Sequence, residues 1–252
     1  MNKLKPLPEE WSGLLNNEQK EAIENIYGPL LIIAGAGSGK TRVLTYRYAH
    51  LIKTYGINFE NVLAITFTNK AANEMKDRIS DLLNLELSPK WISTFHSLCV
   101  KMLRIHGHLI GFNNNFTIYD QSDSTKLVRN CMRDSDIDTK QYSPKRIQAH
   151  ISSLKNQRIL PGEAVEFAQS FFDVKVAEIY SSYQKKLMLA NSMDFDDLLI
   201  KAVELLETSD KSLNYWSSKF QYIMIDEYQD TNMVQYRLVE LLASKHKNIC
   251  VV

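Results

Sequence analysis

Residues 30–42 read LLIIAGAGSGKTR: an apolar run, alternating glycines, then a lysine, a threonine and an arginine. Glycines between a strand and a helix permit a tight turn in which backbone N–H groups and the helix dipole face an anion. Gly35, Gly37 and Gly39 supply that freedom, and Ala36 and Ser38 complete the turn between them. Lys40 has the charge and reach for β- and γ-phosphates, and the Thr41 hydroxyl suits Mg²⁺. The strict pattern G-x-x-x-x-G-K-[ST] meets Ala34 where its first glycine stands; alanine is small, and at the close of a strand the change is tolerable. A glycine-rich surface turn with an incidental lysine would not come with a strand before it, a helix after it and G-K-T intact. The stretch is expected to bind a nucleoside triphosphate.

A phosphate loop alone does not imply hydrolysis. The stretch FQYIMIDEYQDTN (220–232) adds an apolar strand ending in Asp226 and Glu227. In phosphoryl transfer an aspartate at such a strand end holds Mg²⁺ while a neighbour orients or deprotonates the attacking water. Asp226 fits the first role and Glu227 the second, with Gln229 near enough to sense the γ-phosphate. A solvated acidic turn is the ordinary meaning of an Asp-Glu pair, but not directly after a hydrophobic strand in a chain with a phosphate loop.

Three further groups lie around these two. In LLNNEQKEAI (14–23) the amide of Gln19 can donate and accept at once, which matches the N6 donor and N7 acceptor of adenine. By itself it reads as an exposed helix glutamine. Arg42, directly after the loop, offers a planar guanidinium to stack on a base. TFTNKAANEM (66–75) and STFHSLC (93–99) follow two more strands, at the carboxyl ends where open α/β sheets bind ligands. Phe67 there suits base stacking, and Thr66, Asn69, Thr94 and His96 suit phosphate or sugar. Phe67 and Phe95 as core, with His96 as a cap, is an equally good reading of the residues alone.

Five short apolar runs must position these groups: 30–34, 62–67, 91–94, 221–226 and 248–252. Each is nearly continuous rather than alternating, as in a parallel sheet covered on both faces. Amphipathic helical repeats follow Lys40 (Val43, Leu44, Arg47, Tyr48, Leu51, Ile52) and Asn69 (Ala72, Met75, Ile79, Leu82, Leu83). The expected class is α/β. Residues 113–193 hold no convincing strand run and several helical stretches, broken at Ser143-Pro144 and Pro161-Gly162. The expected division is 1–112 with 192–252 as one domain and 113–191 as a helical insertion. A net charge of +1 announces no global attraction to nucleic acid. Cys99, Cys131 and Cys250 lie far apart without a C-x-x-C pair, which argues against a zinc site and a disulfide framework. No signal-like or membrane-length apolar run is present, and the expectation is a cytoplasmic protein without a membrane partner. The sequence stops at Val252, directly after a strand run, as a piece of a longer protein would.

Taken in order, Q-x-x-A-I, AGAGSGKTR, ITFTNKAA-x-EM, STFHS, DFDDLL (194–199) and DEYQDTN resemble the N-terminal half of UvrD/PcrA/Rep-type superfamily 1 DNA helicases, from about Leu14 onward. Ala34 agrees with that family's variant of the loop. The resemblance implies a RecA-like first motor domain interrupted by a helical subdomain, ATP with Mg²⁺, and 3′→5′ translocation on single-stranded DNA with duplex unwinding. It implies that Gln19 reads adenine, that Lys40, Thr41, Asp226 and Glu227 hold and hydrolyse ATP, and that Phe67 and the Thr94–His96 stretch touch DNA. For Asp194, Asp196 and Asp197 an acidic first helical turn is sufficient reason. The family's next element, G-D-x-x-Q-S-I-Y, and a second motor domain with its arginine fingers are absent, so this piece alone is expected to have low activity. An AddA/RecB-type helicase–nuclease would add a C-terminal nuclease. A nucleotide-gated DNA-binding module would lack the second motor domain altogether. A small-molecule P-loop kinase leaves DEYQDTN unexplained.

Overall fold

A computed structural model describes residues 4–35, 37–84 and 89–252. In chain order the first elements are α1 (Glu9–Ser12), α2 (Asn17–Glu24), β1 (Leu30–Leu31), α3 (Lys40–Lys53), β2 (Val62–Thr66), α4 (Asn69–Leu83), β3 (Ile92–Thr94) and α5 (Phe95–His106). Then come β4 (Thr117–Tyr119), α6 (Gln121–Asp134), α7 (Pro144–Asn156), α8 (Phe171–Leu189), β5 (Ser192–Asp194) and α9 (Phe195–Thr208). The last are α10 (Asp210–Lys219), β6 (Tyr222–Ile225), α11 (Met233–Ala243) and β7 (Ile249–Val251). They fall into two compact units. The first takes the chain up to Leu98 with Asp210–Thr231 and Val239–Val252; the second takes Cys99–Ser209 and Asn232–Leu238.

The first unit is built on a five-stranded sheet in the order β1-β7-β6-β2-β3, with every pairing parallel. β2 and β6 are buried throughout, which is why VLAIT and YIMI carry no alternation. A core of Leu44, Tyr48 and Leu51 from α3, Met75 and Ile79 from α4, and Val62, Ala64, Ile92 and Met224 from the strands closes one face. Each leucine, isoleucine, valine or methionine side chain in it contributes about 1.5–3 kcal/mol on leaving water. All five strands expected from the sequence are present. Coverage differs at one edge: Leu31 of β1 is 62% and Ile33, just after it, 88% exposed, so this edge of the sheet is not covered by the described chain.

The second unit packs α6, α7 and α8 around Val128, Cys131, Ile147, Ile151, Val176, Tyr180 and Leu187. Pro144 opens α7 as its first residue, where its missing N–H costs nothing. The expectation that 113–193 lacks strands is corrected here. β4 pairs parallel with β5, Thr117 opposite Ser192 and Tyr119 opposite Asp194. Two three-residue strands some seventy positions apart leave no apolar run, because their pairing is set by distant chain rather than by local pattern. No helix among the described residues is long and apolar enough to cross a membrane.

Candidate nucleotide site and the adjoining strand ends

The phosphate loop leaves β1 and enters α3, whose N-cap is Gly39 in the left-handed region (φ 89°). Gly37 shares that conformation (φ 76°), so two of the three glycines are needed for backbone geometry. A Cβ on Gly39 would also stand 3.0 Å from Nε2 of Gln19. Ala36 lies outside the described residues. The loop is tied to itself: Ser38 Oγ donates to the Gly35 carbonyl (2.7 Å) and Lys40 Nζ to that of Ala34 (3.1 Å). Lys40 and Ala34 line a cavity of about 400 Å³ with Ile33, Tyr228, Gln229 and Val252.

The acid pair follows β6. Asp226 N–H donates to the Ile65 carbonyl (2.9 Å), which holds the strand end against β2. Its carboxylate is buried and accepts from Thr41 Oγ1 at 3.1 Å through Oδ2, and among the described residues no well-formed hydrogen bond reaches Oδ1. Burial pushes its pKa up, with the neighbouring Glu227 charge adding to the effect and the Thr41 hydrogen bond opposing it. A buried carboxylate with an open oxygen beside a threonine hydroxyl is the kind of oxygen donor set a hard divalent cation takes. The residues therefore fit Mg²⁺. Glu227 is exposed and takes φ 54°, an uncommon conformation for a non-glycine residue. Gln229 Nε2 donates to Glu227 Oε2, so the two groups expected near the γ-phosphate already touch.

Gln19 sits on α2 and meets the loop. Its Oε1 accepts from Asn16 N (3.1 Å) while Asn16 Oδ1 accepts from Gln19 N (2.8 Å), a reciprocal capping box. Its Nε2 donates to the Ser38 carbonyl at 3.1 Å. The amide keeps one donor hydrogen and one lone pair for a ligand. Arg42 lies with its guanidinium 5.5 Å from the Tyr46 ring centre.

The register Thr66 opposite Thr94 sets the TFTN and STFHS turns side by side at the carboxyl end of the sheet. Phe67 is 37% exposed and Phe95 1%, so the two readings of this pair divide: Phe95 is core and Phe67 rests edge-on against it at 6.1 Å. Thr66 is buried and donates to the Thr68 carbonyl (3.0 Å). Thr94 is buried and bonds Ser97 Oγ (3.0 Å), while Asn69 is exposed and His96 half-buried.

DFDDLL forms its own cluster in the second unit. Asp194 caps α9 in a capping box with Asp197. Lys155, 1% exposed, reaches Asp194 Oδ2 (2.7 Å) and Asp197 Oδ1 (2.8 Å). Tyr183 OH and Gln184 Nε2 add donors at 2.8 and 3.0 Å. Burial works against charge on Lys155, but the fields of Asp197 and Asp194 outweigh it and raise its pKa. Asp196 accepts from Asn156 Nδ2 (3.2 Å), and burial raises its pKa. Sequence reasoning anticipated the acidic first turn and missed Lys155, whose only signal is a lysine at the apolar spacing of Ile147, Ile151 and Leu154. It also missed Asn16, although N-x-x-Q is a legible capping signature.

Residues 15–252 match the family described as UvrD/REP helicase N-terminal domain. Proteins named ATP-dependent DNA helicase PcrA from Staphylococcus aureus (strains Mu50 and NCTC 8325) and Staphylococcus epidermidis are 48% identical over 238 residues. That stretch is 94% of this chain and 33% of each relative, so the chain spans about a third of the length of the curated relatives it matches. With the loop, the acid pair and the parallel sheet as described, the chain belongs to the UvrD/REP helicases and carries their RecA-like N-terminal domain.

Proposed function

We propose that this chain is the ATP-binding N-terminal motor part of a 3′→5′ DNA helicase, coupling ATP hydrolysis to single-stranded DNA translocation and duplex unwinding in repair and replication. One observation carries this reading. The phosphate loop after β1, the Asp226–Glu227 turn after β6, and the TFTN and STFHS turns after β2 and β3 all lie at the carboxyl end of one parallel sheet. A nucleotide and a DNA strand bound there bear on the same rigid element.

In this reading Lys40 leaves the Ala34 carbonyl for the β- and γ-phosphates, and the α3 N-terminus faces them. Glu227 accepts a proton from the attacking water as its oxygen bonds the γ-phosphorus and the bond to the ADP oxygen breaks. Gln229, bonded to Glu227, reports the state of the γ-phosphate. Thr41 and Asp226 would hold Mg²⁺, which would supply charge neutralisation for the triphosphate. Gln19 reads the adenine edge with its remaining donor and acceptor, and Arg42 stacks on the base. Phe67 stacks on a nucleobase, and Thr66, Asn69, Thr94 and His96 border the DNA backbone. Residues 1–112 with 192–252 form the motor domain and 113–191 the helical subdomain. A second motor domain elsewhere in the full-length protein supplies the opposite wall of the ATP cleft.

Translocation on end-labelled single-stranded DNA tests the proposal with the full-length protein. Arrival at a fluorophore on the 5′ end, with a lag that grows with strand length and vanishes in Lys40→Ala, is expected. Arrival at the 3′ end would refute the assigned direction.

A further inference from the structure

The side chain least explained by the site is Arg47, in the middle of α3. It is 2% exposed, and among the described residues no carboxylate lies within ion-pair distance. Tyr222 of β6, Cys250 of β7 and His50 of α3 are titratable groups around it, and burial keeps each of them in its neutral form at neutral pH. Burying a guanidinium without a counter-ion is costly, so what it does bond is informative. Arg47 Nη1 donates to the Ala22 carbonyl at 2.6 Å.

Ala22 lies in the last turn of α2, where carbonyls run out of helical partners. The Ile26 N–H, which would reach it in a longer helix, bonds the Glu24 carbonyl instead (2.9 Å). Arg47 therefore supplies the missing donor, with its charge against the negative end of the helix dipole. α2 has eight residues, too few to hold its own place in water. The Leu7 N–H bonds Glu24 Oε1 at its end (3.1 Å), and three contacts tie it to α3 and the phosphate loop. Arg47 holds its C-terminal end, Ile23 packs with Val43 and Ala49 of α3, and Gln19 bonds the Ser38 carbonyl of the phosphate loop. Gln19 and Ala22 are three residues apart, hence on the same face one turn from each other. A shift of α2 against α3 at Ala22 is passed directly to the Gln19 amide.

We infer that Arg47 is a positioning residue for base recognition: by clasping α2 to the phosphate-loop helix it sets the Gln19 amide at a fixed offset from the triphosphate. The inference rests on the reading of Gln19 as the adenine reader. It makes the discrimination of adenine from guanine that Gln19 would provide depend on a buried arginine that touches no nucleotide. Guanine presents acceptors at both O6 and N7, so a correctly held amide discriminates against it and a drifting one does not.

Equilibrium binding of ATP, GTP and tripolyphosphate to the full-length protein, beside melting curves, tests this. The variants are Gln19→Ala, Arg47→Met and Arg47→Lys. Arg47→Met keeps an apolar stem and loses the donor; it is expected to cut the ATP/GTP affinity ratio about tenfold, the scale of one amide hydrogen bond to the base lost. Tripolyphosphate affinity should stay within about twofold, and Arg47→Lys should restore part of the ratio. A merely structural role would lower the melting temperature and leave the ratio alone. Gln19→Ala reducing the ratio while Arg47→Met leaves it intact would overturn the positioning role and keep the adenine reading. If Gln19→Ala leaves the ratio unchanged, the adenine reading fails and the inference fails with it. Should Arg47→Met not fold, Arg47→Gln, with a donor too short for Ala22, replaces it under the same criteria.

Discussion

Replacing Lys155 with methionine should destabilise the helical unit severely and in a way that acid repairs. Lys155 is buried between Asp194 and Asp197, at 2.7 and 2.8 Å from their oxygens. Methionine matches its stem but leaves two buried carboxylates facing each other. Removing one partner of a buried ion cluster costs about 3–5 kcal/mol, chiefly the penalty of the charge left behind. With a urea dependence of about 2 kcal/mol/M, the midpoint should fall by roughly 2 M. The sign of the pH effect is opposite to that of most carboxylates. Burial already raises the pKa of Asp197, and losing Lys155 removes the main opposing field, so the folded variant binds protons that its unfolded chain, near pKa 3.9, does not. Stability of the variant should therefore rise as pH falls from 7 toward 4, by about 1.4 kcal/mol per unit of raised pKa. The tryptophans Trp11, Trp91 and Trp216 all belong to the other unit. Far-UV circular dichroism and tryptophan fluorescence should thus separate in the variant, with the first moving earlier. Adding Asp194→Asn and Asp197→Asn should recover most of the loss. A midpoint change under about 0.5 M, or a variant destabilised further by acid, would refute the reasoning.

Three shorter expectations follow from the nucleotide unit. Glu227→Gln should retain ATP binding and lose about 10²–10⁴-fold in turnover, whereas Asp226→Asn should also shift the Mg²⁺ titration; equal modest losses with unchanged Mg²⁺ dependence would contradict the division of roles. Gly39→Ala should cost about 1–2 kcal/mol from its left-handed backbone and weaken nucleotide binding, since the new Cβ displaces Gln19 from 3.0 Å; denaturation and ATP titration check both. His50 is fully buried against Tyr55, with Glu24, Lys5 and Arg47 around it, and burial holds its pKa below the ordinary value. The unfolded chain then binds the extra proton first, so stability is complete above about pH 6.5 and lost as pH falls below it. Melting curves of His50→Phe should lose that slope.

The parts of this protein legible in its sequence are those where chemistry and local pattern coincide. LLIIAGAGSGKT names strand, turn and helix at once, because buried parallel strands are apolar throughout and a phosphate loop needs its glycines. The acid pair was legible for the same reason: Asp226 ends a run that has no other cause to stop in a charge. What escaped depends on contacts between distant residues. Nothing in NFTIYD marks β4, since its partner is β5, and nothing in KRIQAHISSLKN says that Lys155 points inward to Asp194 and Asp197. Arg47 stood in plain view within an apolar repeat, but only the turn of the chain at Ile26 shows which carbonyl it satisfies. The exposed edge at β1 was invisible because continuous apolar character says that a strand is covered, not by which chain.

The central claim is that nucleotide and DNA act on the same sheet end, and steady-state ATP hydrolysis by the full-length protein with and without single-stranded DNA tests it most directly. Turnover should rise steeply with DNA in the wild type, disappear in Lys40→Ala, and lose its DNA stimulation in Phe67→Ala while basal hydrolysis persists. Hydrolysis indifferent to DNA in the wild type, or stimulation unchanged in Phe67→Ala, would contradict the account.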